Sequence, residues 1–215
     1  MAAPTRALRR LVGPVLAALA VGCAGVLPKP PAPTPASFIL APDLASMPSA
    51  NRTPAPGPTL LVSRPEPSAG YGTARMAYLE RDYRLDYFAD HQWVDPPAAM
   101  LEPLLVQALG AHPAFGAVSA NGRGIRADLR LDTVIEAFYQ DFRARPSQVR
   151  VALRVRLVDP GDGRILATRL FDLTEPAPAD AAYGGVQAIN RALARLLPEV
   201  AAFAARAAPR QVMAP

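Results

Sequence analysis

The sequence predicts an α+β fold, a two-layer sandwich in which a mostly antiparallel (mixed) sheet with a central meander is covered by two helices. Three observations predict it. Residues 127–142 and 149–157 alternate apolar and polar side chains at a period of two, the pattern of strands with one buried face. The second of these runs into Asp159-Pro160-Gly161-Asp162-Gly163, whose Pro and Gly supply the backbone angles of a tight reversal, and a third strand follows. Two further stretches, near 97–109 and 178–206, place apolar residues at steps of three and four, which makes helical stripes able to cover a sheet.

Taken in order, Ser37–Ala41 and Thr59–Ser63 are short apolar pieces in proline-rich chain and read as the first strands, tied down by the sheet that follows. Arg75–Leu79 and Arg84–Phe88 are rich in Tyr, Phe and Leu and read as two more. Asp95-Pro96-Pro97 reads as a helix start, with Asp95 capping exposed amides and proline tolerated where first-turn N–H groups lack partners. Met100, Leu101, Leu104, Leu105, Ala108 and Leu109 then share one face. Pro103 is expected to kink or shorten this helix, and Gly110 to stop it. Phe115–Ser119 is a short strand.

In the meander, Leu129, Leu131, Thr133 and Ile135 alternate with Asp128, Arg130 and Asp132. Val149, Val151, Leu153, Val155 and Leu157 alternate with Arg150, Arg154 and Arg156, and Arg164–Leu173 completes it. The closing helix, 178–206, carries Val186, Ile189, Leu193, Leu196, Leu197, Val200 and Phe203. Gly184 and Gly185 should weaken its first turns and Pro198 should bend its end. No internal repeat is visible.

Ahead of this domain stands a different kind of sequence. Arg6, Arg9 and Arg10 precede an apolar run, Leu11 to Val21, of signal-peptide length and too short to span a bilayer. The run ends Leu19-Ala20-Val21-Gly22-Cys23, with small residues beside the chain's single cysteine. This arrangement is similar to a bacterial lipoprotein signal, in which lipid is joined to the cysteine thiol and the chain is cut before it. The expected organisation is a signal peptide over 1–22, a lipidated proline-rich linker over 23–36, a domain over 37–206 and a disordered tail over 207–215. Proline at the density found in 28–35 holds chain extended, so the linker is a semi-rigid spacer.

Cleavage changes the charge balance. The full chain has 23 Lys+Arg against 18 Asp+Glu, and residues 1–22 hold three arginines and no acid, so the mature chain carries 20 against 18, a net +2. Nucleic acid is therefore not expected as a partner, because a phosphate-binding surface needs clustered positive charge. A lone lipidated cysteine leaves no disulfide, and a domain of roughly 150 residues can bury enough surface without one.

Residues that could carry chemistry are few. The two histidines, His91 and His112, have no second His or Cys at ligand spacing, so no metal and no cofactor is expected. Asp90 and His91 form the one imaginable acid/base pair, set against the plainer reading of a solvated turn between strand and helix. Ser119 and Ser147 lack a nucleophile-elbow setting, and Asn121-Gly122-Arg123-Gly124 does not lead into a helix that would cradle phosphate. Arg150, Arg154 and Arg156 share a strand face and either meet lipid head groups or pair across strands with Asp128 and Asp132, the reading preferred. Trp93 is expected in the core rather than on a contact surface. No catalytic residue is assigned.

Tyr83, Tyr87, Phe88, Trp93, Asp95, Pro96 and Pro97, then the meander ending Ile165-Leu166-Ala167-Thr168-Arg169-Leu170-Phe171, then Ala188, Asn190 and Ala192, in this order behind a lipidated cysteine, resemble the ABC-type transport auxiliary lipoprotein family. The resemblance runs from about Ser37 to Phe203. It implies a non-enzymatic accessory of an envelope phospholipid transport system in a Gram-negative cell, working beside an ATPase, a permease and a periplasmic MCE-domain protein. It implies attachment through Cys23 and its acyl chains, of the palmitate kind, at the periplasmic face of the outer membrane; Ala24 after the cysteine is similar to outer-membrane lipoproteins. Phospholipid itself and further copies of the chain are open as partners. Two alternatives share the anchor: an outer-membrane lipoprotein of cell-wall or envelope assembly, and an envelope hydrolase using His91.

Overall fold

A computed structural model describes residues 34–45, 56–120 and 126–209. The chain divides into two units, Met1–Thr34 and Pro35–Pro215, and every element of the fold belongs to the second. The expected signal peptide, Cys23, most of the linker, the Asn121–Gly124 segment and the tail from 210 lie outside the described residues.

The described residues form nine strands and two helices in the order β1 (Ala36–Phe38), β2 (Thr59–Val62), β3 (Glu66–Pro67), β4 (Arg75–Arg81), β5 (Arg84–Trp93), α1 (Pro97–Ala111), β6 (Ala117–Ser119), β7 (Leu129–Asp141), β8 (Gln148–Val158), β9 (Ile165–Pro176) and α2 (Ala182–Ala207). The class is the expected one, α+β with two helices on a mixed sheet. Its long ladders are antiparallel: β7 with β8, β8 with β9, and β4 with β5. The β8–β9 reversal closes as its sequence requires, with Gly163 at φ +74° donating its N–H to the Asp159 carbonyl at 2.9 Å.

The parallel pairings were not legible beforehand. Along its other edge β7 takes three short strands in succession, β2 beside Leu129–Leu131, β3 beside Val134–Ile135 and β4 beside Tyr139–Asp141. β6 extends the sheet beyond β2, and β1 beyond β5. Glu66–Pro67 is too short and too polar to announce itself as a strand, and it pairs because the chain is drawn along β7.

β7 changes face midway. Its register with β8 slips between Ile135 and Ala137, a bulge that leaves Glu136 as the extra residue. Before it, Leu129, Leu131, Thr133 and Ile135 face the helices; after it, Phe138 and Gln140 do, opposite the inward Val151 and Val149. The second face of this end is buried too, at Ala137, Tyr139, Asp141 and Ala152, with the buried Tyr71 beside Tyr139. Burial pushes the Tyr71 phenol up from its ordinary range.

α1 buries Leu101, Leu105, Ala108 and Leu109, and α2 buries Val186, Ile189, Leu193, Leu196, Leu197 and Val200, the stripes read from periodicity. Three details differ from expectation. Asp95 does not cap α1: the N-cap is Pro96, with no side-chain cap hydrogen bond. Pro103 does not shorten α1, because it lies on the exposed side, where water can reach the Ala99 carbonyl deprived of its partner. α2 begins at Ala182 rather than at residue 178 and runs unbroken through Pro198.

The two glycines that should have weakened α2 instead let it dock. A Cβ on Gly184 would stand 2.2 Å from the Ala179 carbonyl oxygen, and one on Gly185 2.2 Å from Gln140 Oε1. Gln140 is buried and donates to Ser147 Oγ at 2.9 Å and to the Ala181 carbonyl at 3.3 Å, which fixes the start of α2 against the end of β7.

Candidate functional site

The imagined acid/base pair falls on a strand. Asp90, His91 and Gln92 continue β5 rather than forming a turn, because β1 pairs alongside with Ala36 opposite His91. His91 Nδ1 stands 2.7 Å from Asp90 Oδ1, its neighbour in the chain, and its ring stacks on Phe38 at 5.8 Å. No hydroxyl is hydrogen-bonded to His91 among the described residues, and a nucleophile needs one there. His112, at the end of α1, accepts from the Ala114 N–H at 3.2 Å and lies against Phe115.

Ser147 is fully buried, its hydroxyl held by Gln140 and its N–H donating to Asp180 Oδ1 at 2.6 Å. Ser119 lies on β6 and pairs with Leu61. Among the described residues no group of three His, Cys, Asp or Glu is placed to hold a metal ion. Trp93 is 2% exposed and packs on Phe138 at 5.8 Å, so it belongs to the core.

The arginine face of β8 forms a cross-strand ladder, though with other partners than expected. Arg150 grips Asp172 on β9 with both nitrogens, at 2.9 and 2.6 Å, and Arg154 pairs with Glu136. Asp132 takes its hydrogen bonds from Arg130, on its own strand, at 2.9 and 3.0 Å, and from Ser63 Oγ at 2.7 Å. Burial alone would raise the Asp132 carboxyl, but these donors and the charges of Arg130 and Arg156 outweigh it and hold it below its ordinary range. Asp128 accepts instead from the Thr59 N–H at 2.8 Å. Asp132 does lie directly opposite Arg156, whose charge it feels, but its hydrogen bonds come from Arg130 and Ser63.

Asp132, Arg130 and Ser63 line an open polar cleft of about 320 Å³, together with Arg64, Glu66 and Arg156. A second groove, of about 390 Å³, runs between Ala41–Asp43 and the first turns of α2 and is lined by Tyr183, Val186, Asn190 and Arg191. Asn190 ties its two walls: its Oδ1 accepts from the Ala41 N–H at 2.6 Å and its Nδ2 donates to the Val186 carbonyl at 3.0 Å. Beside the groove, Phe38 meets Tyr183 at 6.1 Å. Ala41 and Asn190 stand 149 positions apart in the chain, a separation that periodicity cannot bridge, so this cluster was not foreseen.

Several of the residues that carried the family resemblance have structural duties. Ala188 and Ala192 are fully buried, where only small side chains fit, and Tyr87 donates its hydroxyl to the Gly70 carbonyl at 3.1 Å under the Arg75 guanidinium. Tyr83 stands fully exposed at the β4–β5 reversal with φ 64°. No helix among the described residues is long and apolar enough to cross a membrane.

Comparison with known proteins gives the same direction. No curated protein is similar in sequence. A crystal structure of a protein from Xanthomonas campestris is similar at a TM-score of 0.64 and 20% identity, over 81% of this chain and 94% of that one. A second crystal structure, of an uncharacterized protein, is similar at 0.63 and 15%, over 79% and 98%. Both likenesses are of fold. The PelC dodecamer subunit from Paraburkholderia phytofirmans is more distant, at 0.43 and 13%, over 68% and 90%. The family described as ABC-type transport auxiliary lipoprotein component matches residues 40–201, from the segment before the Asn190 tie to the last turns of α2. Over that span, three quarters of the sequence, the chain belongs to the ABC-type transport auxiliary lipoprotein family.

Proposed function

We propose that this protein is a lipid-anchored, non-enzymatic accessory of an ABC transporter that moves phospholipid across a Gram-negative envelope. The observation that carries the proposal is the family match over residues 40–201, standing behind an apolar run that ends at a single cysteine. Cys23 is the attachment point. A diacylglycerol there supplies two chains at about 0.8 kcal/mol per buried methylene, whereas one chain gives only marginal binding. The periplasmic face of the outer membrane is its location, and an MCE-domain protein with the permease and ATPase are its partners.

The domain's chemistry favours binding over catalysis. Its histidines engage neighbouring residues, Ser147 is buried and locked to Gln140, and in its polar cleft Asp132 is paired with Arg130. Crosslinking in cells, from residues placed on the cleft at Arg64 and on the groove at Gln187, is expected to capture MCE and permease subunits. Capture of a cell-wall synthase instead would favour the envelope-assembly alternative, and loss of transport on His91→Ala at unchanged protein level would revive the enzyme.

A further inference from the structure

The arginine ladder of β8 leaves its last member without a partner. Arg150 and Arg154 each close on a carboxylate of a neighbouring strand, Asp172 and Glu136. Arg156 lies in register with Asp132 of β7, but both oxygens of Asp132 are engaged by Arg130 and Ser63. Among the described residues Arg156 forms no hydrogen bond and no ion pair, although it is half-buried. Its charge reaches Asp132 only at longer range.

A second arginine in the same state stands on the other side of β7. Ser63 continues β2 along β7, its N–H donating to the Leu131 carbonyl at 2.9 Å, and Arg64 follows it. Because β2 and β8 flank β7, their backbones are about 10 Å apart, two strand spacings. Arginine side chains from the two sides are long enough to close that span on one small group. Arg64 and Arg156 line the same cleft of about 320 Å³, and Glu66 is the carboxylate there that has no partner among the described residues.

We propose that this cleft binds a phosphoryl group, the singly charged phosphodiester of an amine-bearing lipid head group, with Arg64 and Arg156 on the phosphate oxygens and Glu66 on the ammonium. A guanidinium fork matches two oxygens of a phosphate, and two forks arriving from different strands need more acceptor oxygens than one carboxylate offers. Three arginines against two carboxylates leave the cleft one positive charge, which suits a diester better than the higher charge of free phosphate. The head group as the source rests on the phospholipid transport proposed above; the phosphate chemistry does not.

The test is titration calorimetry of the full mature chain in dodecyl maltoside at low salt, with glycerophosphoethanolamine, glycerophosphoglycerol and inorganic phosphate as soluble probes. Glycerophosphoethanolamine is expected to saturate a single site and to bind more tightly than the other two. Arg64→Gln and Arg156→Gln should each weaken it by about tenfold, the usual effect of losing a hydrogen bond between charged groups. Arg81→Gln, which removes an exposed arginine from β4, should leave it unchanged. Glu66→Gln should erase the preference for the ethanolamine ester over the glycerol ester. Arg64 and Glu66 are exposed, so their variants report even where Arg156→Gln fails to fold. No saturable binding of any probe, equal weakening by Arg81→Gln, or tighter binding of inorganic phosphate than of either diester would each overturn the site. Saturation by a glutamate-rich peptide with all three phosphates silent would overturn it in favour of an acidic protein surface. Loss of the site in a protein whose crosslinks from position 187 still reach permease and MCE subunits would leave the accessory role standing; binding without those crosslinks would overturn that role and keep the site.

Discussion

Individual residues in this protein act chiefly by where they permit close approach or hold a charge. Gly184 is the clearest case. Replacing a helical glycine with alanine ordinarily gains about 1 kcal/mol of helix propensity, but on this helix the new methyl group would meet the Ala179 carbonyl at 2.2 Å. That carbonyl belongs to a segment fixed by the Asp180–Ser147 hydrogen bond and cannot retreat cheaply. Gly184→Ala is therefore expected to lose about 1–3 kcal/mol in urea unfolding, as overpacked sites do. Asp141 is the charge counterpart. Hydrogen bonds from the Arg143 side chain, at 2.9 and 2.7 Å, outweigh burial and hold its carboxyl below the usual range; Asp172 is held down likewise by Arg150, and Asp180 by the Ser147 N–H and Arg145. A carboxyl with a depressed folded pKa contributes stability above its unfolded value, near about 4, and loses it as pH falls through the folded value. Thermal stability should be flat from about pH 7 to 5 and fall below about 4. Asp141→Asn should lower the plateau and make the acid fall shallower; an unchanged acid limb would count against Asp141 as one of its causes.

At the scale of elements, periodicity was the reliable guide and the breakers inside the helices were not. The apolar stripes of α1 and α2 and the alternation of β7 and β8 became buried faces because a whole face must be desolvated at once. Pro103, by contrast, costs α1 one hydrogen bond without ending it, since its position is solvated. Pro103→Ala should restore that bond and raise stability by about 2–3 kcal/mol, the interior proline penalty less the unfolded-state entropy that proline removes. Leu105→Ala, on the buried side of the same helix, should lose about 2–5 kcal/mol. Both are read by chemical unfolding, and a loss of stability in Pro103→Ala would mean that the proline ring itself packs. β5 shows the opposite error: Asp90-His91-Gln92 looks like a polar turn, but an edge pairing with β1 keeps it extended as far as Trp93.

For the whole molecule, the family assignment and the proposed anchor make one prediction that needs no detail of the fold. Cys23→Ser should move the protein from the membrane to the soluble fraction and weaken barrier function, and retention of both would end the tethering proposal. The amino-acid sequence by itself determined the class of the domain, its meander, its two helices, the core position of Trp93 and the residues on which the family is identified. These are short-range or periodic properties, and each is written in a continuous stretch of chain. Only the tertiary structure decided the parallel pairing of β2, β3 and β4 along β7, the bulge at Glu136 that turns Phe138 inward, the partners of the arginine ladder and the tie between Ala41 and Asn190. Each of those joins segments far apart in the chain, and which distant segments meet is fixed by the common burial of every face together.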